Sequence, residues 1–375
     1  MIDPGFTTTE MEQIFSPARR VAAFLEFEAA LALALGDVGI APEDAAGAVA
    51  EACATPLADP EAVLAATWVE GTPLIPMLTE LRSRLSASDA EWVHYGATTQ
   101  DAVDTAAMIQ AGHALEVLDG RLTGLARRLA PLVLEHRDQP QTGRTFLQHA
   151  RPTTFGVRLA GWLDPIVRQL VGLRETRGGL VVQLGGPVGN LAAFGERGTE
   201  VMEALARRLG LEAPNLPWHT DRSRIFEIAA AVALVGRTMG KIGLDIALLA
   251  QSDVGEIRVR AGGSSSMGDK RNPIDAIRAI AAAEACGAAA GMVANGPAHE
   301  LDRGLGGWHV ESIALPMLFK TASAAAESIG GAFDSLEVDT DRMTLLAGPE
   351  AKGLVLDPRM IDRVIADFDD VVGDG

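Results

Sequence analysis

The polar segment at residues 262–273 organises this chain, and its sequence is Gly262-Gly263-Ser264-Ser265-Ser266-Met267-Gly268-Asp269-Lys270-Arg271-Asn272-Pro273. Its glycines and serines give a pliable backbone with exposed N–H and hydroxyl groups. After Pro273 the apolar residues recur at helical spacing, which predicts that Pro273 lies near the first helical position. The unpaired N–H groups of a helix N-terminus, together with Lys270 and Arg271, favour an anion such as a carboxylate or a phosphate.

Two other interpretations of this segment are a solvated Gly/Ser linker and a nucleotide-binding P-loop. Composition alone favours the linker. A P-loop requires Gly-x-x-x-x-Gly-Lys-Ser/Thr, and Gly263 and Gly268 have the right spacing. However, Lys270 comes one position late and no hydroxyl residue follows it. The sequence therefore excludes the P-loop and leaves the linker and the anion site open.

The composition is that of a globular, helical chain with excess negative charge. Of its 375 residues, 48% are hydrophobic and 22% are charged, and the formal net charge is −18. Abundant alanine with little β-branched alternation predicts closely packed helices. The negative charge disfavours nucleic acid and anionic membranes as partners, and an anionic substrate would need a locally cationic pocket.

The cysteines and the apolar pattern give an expectation about location. Cys53 and Cys286 are the only cysteines, and their separation fits neither a metal motif nor a disulfide framework. The N-terminus lacks a basic-then-apolar signal pattern, and no uninterrupted apolar run of roughly 18 residues occurs. The sequence therefore predicts a cytoplasmic protein without a membrane span.

Five long helical patterns dominate the chain. Periodicity predicts them at about residues 100–134, 153–176, 221–250, 274–295 and 311–334. Further helices are predicted at about 10–35, 42–66 and 77–85, a short strand at 254–259, and irregular chain at 178–199. Rods of roughly 33–50 Å bury little surface unless they are bundled. An all-α bundle is predicted, and the lack of a βαβ rhythm argues against Rossmann and barrel folds.

Three polar clusters adjoin these helices and hold further candidate site residues: His94, Thr98 and Thr99; Arg144, Gln148 and His149; and Arg303, Trp308 and His309. For the threonines, helix capping with Asp101 and ligand contact both remain open. His149 is either a structural histidine or part of a site. Because His299, Glu300 and His309 lack the spacing of a helical zinc pair, no metal is predicted.

Taken together, these motifs resemble the fumarase/aspartase superfamily over nearly the whole chain. The segment 262–273 matches its pattern G-S-S-x-M-P-x-K-x-N-P except that Gly268 replaces the proline, which should make the free loop more flexible. Three other motifs are most similar to the 3-carboxy-cis,cis-muconate cycloisomerases of that superfamily. These are Gly71-Thr72-Pro73-x-x-Pro76, Gly143-Arg144-Thr145-x-x-Gln148-His149-Ala150 and Gly306-Gly307-Trp308-His309-x-Glu311. Gly71, Thr72 and Phe146 stand where the related adenylosuccinate lyases have histidines.

The resemblance implies a fold, an assembly and an activity. It implies an N-terminal helical domain at residues 1–100, a central five-helix bundle at 101–338 and a C-terminal segment at 339–375 that is short for the family. Four identical subunits are expected to form a core of about twenty helices, with each active site shared by three subunits. The expected activity is that of a cytoplasmic cycloisomerase of the β-ketoadipate pathway, acting on a small polycarboxylate without cofactor or metal.

The resemblance also implies a role for each site residue. Ser264 is the general acid/base, and Lys270 assists it and, with Asn272, stabilises an enediolate-like intermediate. His149 is the alternative proton carrier, since histidine titrates near neutrality. Substrate contacts are expected from His94, Thr98, Thr99, Arg144, Gln148, Ser265, Met267, Asn272, Arg303, Trp308 and His309. A C–N or C–O lyase of a succinate-type substrate and a non-catalytic member of the fold remain as alternatives.

Overall fold

The computed structural model describes residues 3–263, 267, 270–296 and 298–373, so the predicted site residues Ser264 and Ser265 lie outside the described part. The helices are α1 Thr9–Ile14, α2 Pro17–Asp37, α3 Glu43–Ala54, α4 Pro60–Ala65, α5 Thr67–Glu70, α6 Leu74–Ser83, α7 Ala87–Ala90, α8 Thr99–Glu135, α9 Phe155–Gly178, α10 Gly198–Leu209, α11 Ser223–Leu249, α12 Ile274–Ala294, α13 Glu311–Asp334, α14 Thr340–Ala347 and α15 Arg359–Val372. The strands are β1 Pro140–Thr145, β2 Gln148–Thr154, β3 Ile257–Arg258, β4 Ala261–Gly262, β5 Asn272–Pro273 and β6 Glu337–Val338.

The five long predicted helices are confirmed as α8, α9, α11, α12 and α13, and they pack as one bundle. α8 packs against α9 and α13, and α11 packs against α12 and α13. The described strands form only antiparallel pairs, β1 with β2, β3 with β6 and β4 with β5. The predicted all-α class is therefore confirmed, and the strands serve to close loops at one end of the bundle.

Two apolar cores hold the described chain together. The bundle core includes the fully buried side chains of Phe155, Trp162 and Phe319. The second core lies around α2 and includes Phe24 and Phe27. It also includes buried residues from the middle of the chain, among them Val182, Phe194 and Leu205. The division of the chain near residue 100 stays a prediction, since this second core draws on residues from both sides of it.

Several element boundaries differ from the sequence expectation for local reasons. The helix expected at 10–35 is interrupted, because the Ser16 side chain accepts a hydrogen bond from Arg19 N and Pro17 starts a new helix. Pro131 does not end α8, which continues to Glu135. α10 and α15 were not expected. α15 buries Ile361 and Val372 and packs mainly against α9.

The second polar cluster forms a hairpin that was not predicted as strands. β1 and β2 pair so that Arg144 faces His149 and Thr145 faces Gln148. The turn between them places Phe146 at φ 50° and Leu147 at φ 63°, and Phe146 is 99% exposed. Leu147 is 68% exposed, so the tip of the hairpin presents two adjacent apolar side chains to solvent.

Gly156, in the first turn of α9, fixes how the hairpin joins the bundle. A Cβ added there would lie 2.5 Å from Arg137 Cα and 2.8 Å from His136 O, and Gly156 N also donates to His136 O at 2.8 Å. We expect Gly156→Ala to lower the free energy of unfolding by about 2 kcal/mol, because backbone would have to move. The measurement is urea-induced unfolding followed by circular dichroism.

Gly161→Ala is the matched control in the same helix. Nothing lies within 4 Å of a Cβ added at this exposed position. Alanine should there be neutral or stabilising by up to about 1 kcal/mol. Equal effects of the two substitutions would show that the close approach at Gly156 does not constrain the fold.

Candidate active site

The predicted site residues lie at the two ends of the bundle. Thr98 precedes α8 and His149 lies in the hairpin that follows it, and the 37 residues of α8 span about 55 Å. At the Thr98 end, Arg222 at the start of α11 pairs with Asp104. At the hairpin end, Arg144 pairs with Glu256, which follows α11. Within the described part of one chain, the residues near Thr98 and those of the His149 hairpin therefore do not come together.

The Thr98 end of the bundle contains a cleft of about 450 Å³, large enough for a small ligand. Of the predicted site residues, Thr99, Trp308 and His309 line it. Gly71 and Thr72, which stand in place of the lyase histidine, lie on its wall as well. Apolar side chains complete the walls, among them Phe15, Leu64, Val103, Leu315 and Phe319.

Asp101 fixes the turn that presents Thr98 and Thr99. Its buried carboxylate accepts hydrogen bonds from Thr98 N and Gly186 N, each at 2.9 Å, and lies 2.6 Å from His219 Nε2. The capping interaction predicted from the Thr98–Asp101 spacing is thus present. The role of His219 was missed, since nothing in the local sequence relates it to residue 101.

Arg222 joins the starts of three long helices beside the cleft. Its guanidinium donates to both carboxylate oxygens of Asp104 at 2.8 and 2.9 Å, and its Nε donates to Glu311 Oε1 at 2.9 Å. Burial opposes the charge of Arg222, but Asp104 and Glu311 outweigh it and raise the guanidinium pKa above its ordinary value. The sequence did not predict this cluster, although Glu311 belongs to the motif Gly306-Gly307-Trp308-His309-x-Glu311.

His94 is held in an unusual backbone conformation by a buried carboxylate. It has φ 61°, and its Nδ1 lies 2.6 Å from Glu28 Oε1. Burial disfavours the imidazolium, but the adjacent Glu28 outweighs this effect and raises the pKa of His94. His94 therefore supports the turn before Thr98 through its contact with Glu28, and a direct contact with substrate stays a prediction.

This pair predicts a pH-dependent stability. A folded-state pKa above the ordinary value of 6.5 stabilises the fold below that value, and the contribution is lost as pH rises through the folded pKa. Glu28→Gln should therefore lower the free energy of unfolding more at about pH 6 than at about pH 9. Urea unfolding at both pH values measures this difference.

Glu26→Gln is the control for that experiment, because Glu26 is half-exposed and pairs with Arg19. An arginine keeps its charge over this range, so the effect should be small and the same at both pH values. A Glu28→Gln effect that does not change with pH would contradict the assigned His94 pKa direction.

The hairpin end of the bundle presents the other predicted residues. Gln148 and His149 are exposed on β2, whereas the Arg144 guanidinium donates to both oxygens of fully buried Glu256, at 2.7 and 3.1 Å. Arg144 thus neutralises a buried carboxylate within its own chain. A contact between Arg144 and substrate stays a prediction and would require this pair to open.

The described ends of the segment 262–273 form the short β4–β5 ladder. Gly262 faces Asn272 across it, and Asn272 Nδ2 donates to Gly263 O at 3.4 Å. Lys270 is exposed at this end, and Met267 is 53% exposed. The ladder fixes where the loop leaves and re-enters the bundle, directly before α12.

The remaining candidates were placed as follows. Arg303 donates to Pro187 O at 3.1 Å, and the rings of Trp308 and His309 lie 3.9 Å apart. Cys53 and Cys286 are buried free thiols, and burial raises the pKa of each to about 12, so neither is suited to act as a thiolate. Among the described residues, no three His, Cys, Asp or Glu side chains are grouped to hold a metal.

A sequence profile of a family described as lyase matches residues 6–287. The chain belongs to this lyase family. It is 41% identical over 365 residues to the 3-carboxy-cis,cis-muconate cycloisomerase of Pseudomonas aeruginosa, covering 95% of this chain and 79% of that protein. The family membership inferred from the motifs is thereby confirmed.

Solved structures of lyase-family proteins agree with this placement. The chain is similar to the 3-carboxy-cis,cis-muconate lactonizing enzyme from Pseudomonas putida, with a TM-score of 0.85 and 38% identity, covering 90% of this chain and 77% of that one. It is also similar to the fumarate lyase from Mesorhizobium sp. BNC1, with a TM-score of 0.86 and 32% identity, covering 93% and 80%. The fumarase/aspartase-like fold expected from the sequence is confirmed.

Proposed function

We propose that this protein is a 3-carboxy-cis,cis-muconate cycloisomerase that forms a carboxymuconolactone. The observation that carries this proposal is the 41% identity to the Pseudomonas aeruginosa enzyme across 95% of the chain. The site sequence agrees with it. Gly71 and Thr72 on the cleft wall, and Phe146 at the hairpin tip, replace the histidines expected of an adenylosuccinate lyase.

The reaction is an intramolecular addition. One carboxylate oxygen of the substrate forms a C–O bond to a double-bond carbon and closes a γ-lactone. The electron pair of that double bond moves toward a neighbouring carboxylate, and a proton is added at the α-carbon. Apart from this proton, which the catalytic acid recovers from water, no atom is gained or lost, so the main demand is stabilisation of the enediolate-like charge by donors placed in advance.

We assign these tasks to the exposed hairpin end of the bundle. Lys270 and Asn272 stabilise the developing negative charge, and Ser264 delivers the proton to carbon, with His149 as the alternative acid. Thr98, Thr99, Gln148, Arg303 and His309 hold the substrate carboxylates. The assignment is supported by the motif match and by the exposure of His149 and Lys270 in the single chain.

These roles require assembly, because the two groups lie about 55 Å apart along the 37 residues of α8 in one chain. A two-fold axis perpendicular to the bundle would pack identical bundles antiparallel, so that the hairpin end of one chain would meet the cleft of another. The face of α12 suits such packing. By length and composition alone, this helix could also cross a membrane. Only 28% of its most apolar stretch is buried within the chain, so most of that surface is free to pack against another bundle. We propose a cytoplasmic homotetramer whose sites are each built by three subunits.

Shared sites can be tested with two inactive variants. His149→Ala and Lys270→Ala should each lower kcat by about a hundredfold or more. Co-expression of the two variants should restore a fraction of wild-type activity, because some sites in mixed tetramers receive both intact residues. Lys352→Ala, which changes an exposed lysine in the C-terminal segment, is the matched control and should remain fully active.

If mixed tetramers form but are no more active than the two variants alone, His149 and Lys270 of each site come from the same subunit, which would contradict a site built by three subunits. Native mass spectrometry of the wild type supplies the second readout. An active monomer would overturn both the assembly and the shared sites.

The activity itself is tested by incubating the protein with 3-carboxy-cis,cis-muconate and following the loss of conjugated-diene absorbance. We expect turnover that is unaffected by a chelator, and a loss of about a hundredfold or more in Ser264→Ala. Parallel reactions with adenylosuccinate, argininosuccinate, and fumarate plus ammonia should be silent. Turnover of adenylosuccinate at a comparable rate would assign the protein to a succinate-type lyase activity. If Ser264→Ala keeps normal turnover while His149→Ala is inactive, His149 and not Ser264 is the residue that protonates the carbon.

A further inference from the structure

Arg20 is one of the residues that line the cleft of about 450 Å³. Among the described residues that line this cleft, it is the only lysine or arginine. The lining carboxylates of Asp104 and Glu311 do not need it, because Arg222 already pairs with both. A half-buried cation is therefore present in the cleft without having been assigned to any predicted role.

Within the described part of the chain, Arg20 forms neither an ion pair nor a side-chain hydrogen bond. Its recorded contact is with the Phe24 ring, whose centroid lies 5.9 Å from the guanidinium carbon. Burial lowers the pKa of Arg20 from its ordinary value, because the charged form loses hydration and no carboxylate among the described residues offsets the loss. A carboxylate supplied by a ligand would restore that missing interaction.

The position of Arg20 on α2 strengthens this argument. It lies in the first turns of the helix, where the partial positive charge of the N-terminus disfavours a cation, and that end carries no acidic residue. Arg19 occupies the same region but pairs with Glu26. Of these two neighbouring arginines, only Arg20 lines the cleft, and among the described residues it has no acidic partner.

We propose that Arg20 binds one carboxylate of the substrate and thereby makes the cleft selective for polycarboxylates. A guanidinium presents two parallel N–H donors that match a carboxylate, and the bond is strengthened by the low-dielectric apolar wall. This inference rests on the proposed function in that it assumes a carboxylate substrate. It concerns binding rather than the movement of the proton.

Arg20→Gln and Arg20→Lys test the proposal, with Arg19→Gln as the matched control. For Arg20→Gln, KM for 3-carboxy-cis,cis-muconate should rise about 10- to 100-fold while kcat stays within about threefold, as expected for a lost charge-assisted hydrogen bond made in ground and transition states alike. Arg20→Lys keeps the positive charge but loses the two parallel N–H donors, so its KM should lie between those of Arg20→Gln and wild type. Arg19→Gln should match wild type.

Calorimetric binding of tricarballylate, a saturated tricarboxylate, gives a readout that does not depend on turnover. Its Kd should rise by a similar factor in Arg20→Gln and not in Arg19→Gln. If wild type binds tricarballylate through Arg20 but does not turn over the muconate, the inference stands and the proposed activity fails. If wild type is active but Arg20→Gln has unchanged KM and Kd, the inference is overturned and the activity stands.

A thermal unfolding scan separates a binding defect from a folding defect. Should Arg20→Gln fail to fold, Arg20→Lys decides the question. Weaker tricarballylate binding by a folded Arg20→Lys variant supports the contact between the guanidinium and a carboxylate, and unchanged binding overturns it.

Discussion

The buried contact of Arg222 with Asp104 and Glu311 is the interaction on which the candidate site depends. It ties the start of α11 to the first turns of α8 and α13, and both α8 and α13 line the cleft. Burying three charges is expensive, and such a cluster often stabilises no more than apolar residues would, but removing one member leaves an unpaired buried charge. Its directional bonds fix how the three helices are placed relative to one another. The apolar packing between these helices is much less directional, so it would tolerate small shifts that the site would not.

The same rigidity separates the chemical groups. α8 holds Thr98 at one end of a rod of about 55 Å and the His149 hairpin at the other, and the buried core along its 37 residues prevents the ends from approaching. In the described part of a single chain, the cleft thus lies far from His149, the alternative proton donor, which is exposed at the other end. The surface features agree with this division. Phe146 at the hairpin tip and the weakly buried face of α12 are apolar surfaces that a monomer would leave in water.

Sequence patterns predicted the long elements well because a bundle helix repeats the same packing environment over many turns. The starts of α8 and α12 could be located from Thr98 and Pro273, since caps and prolines act within one turn. Contacts between residues distant in sequence could not be found in this way. His219 meets Asp101, and Glu28 meets His94, only because the folded chain brings them together. α10 was missed although it is strongly amphipathic, because its glycine-rich approach favours irregular chain. For the segment 262–273, the motif resemblance supplied proposed roles that periodicity cannot supply.

The strongly negative net charge of the protein makes the position of each unpaired cation important for binding a polycarboxylate. A chain of net charge −18 repels a polycarboxylate at long range, so attraction must come from groups within a Debye length of the site, about 8–10 Å at physiological ionic strength. Most described arginines near the site are already neutralised, Arg222 by two carboxylates and Arg144 by Glu256. Among the described residues, Arg20 in the cleft and exposed Lys270 and Arg271 at the other end of the bundle have no carboxylate partner. Antiparallel packing of two bundles would bring these cations toward one cleft from opposite sides. Assembly would then complete the local field that binds the substrate as well as the set of catalytic groups.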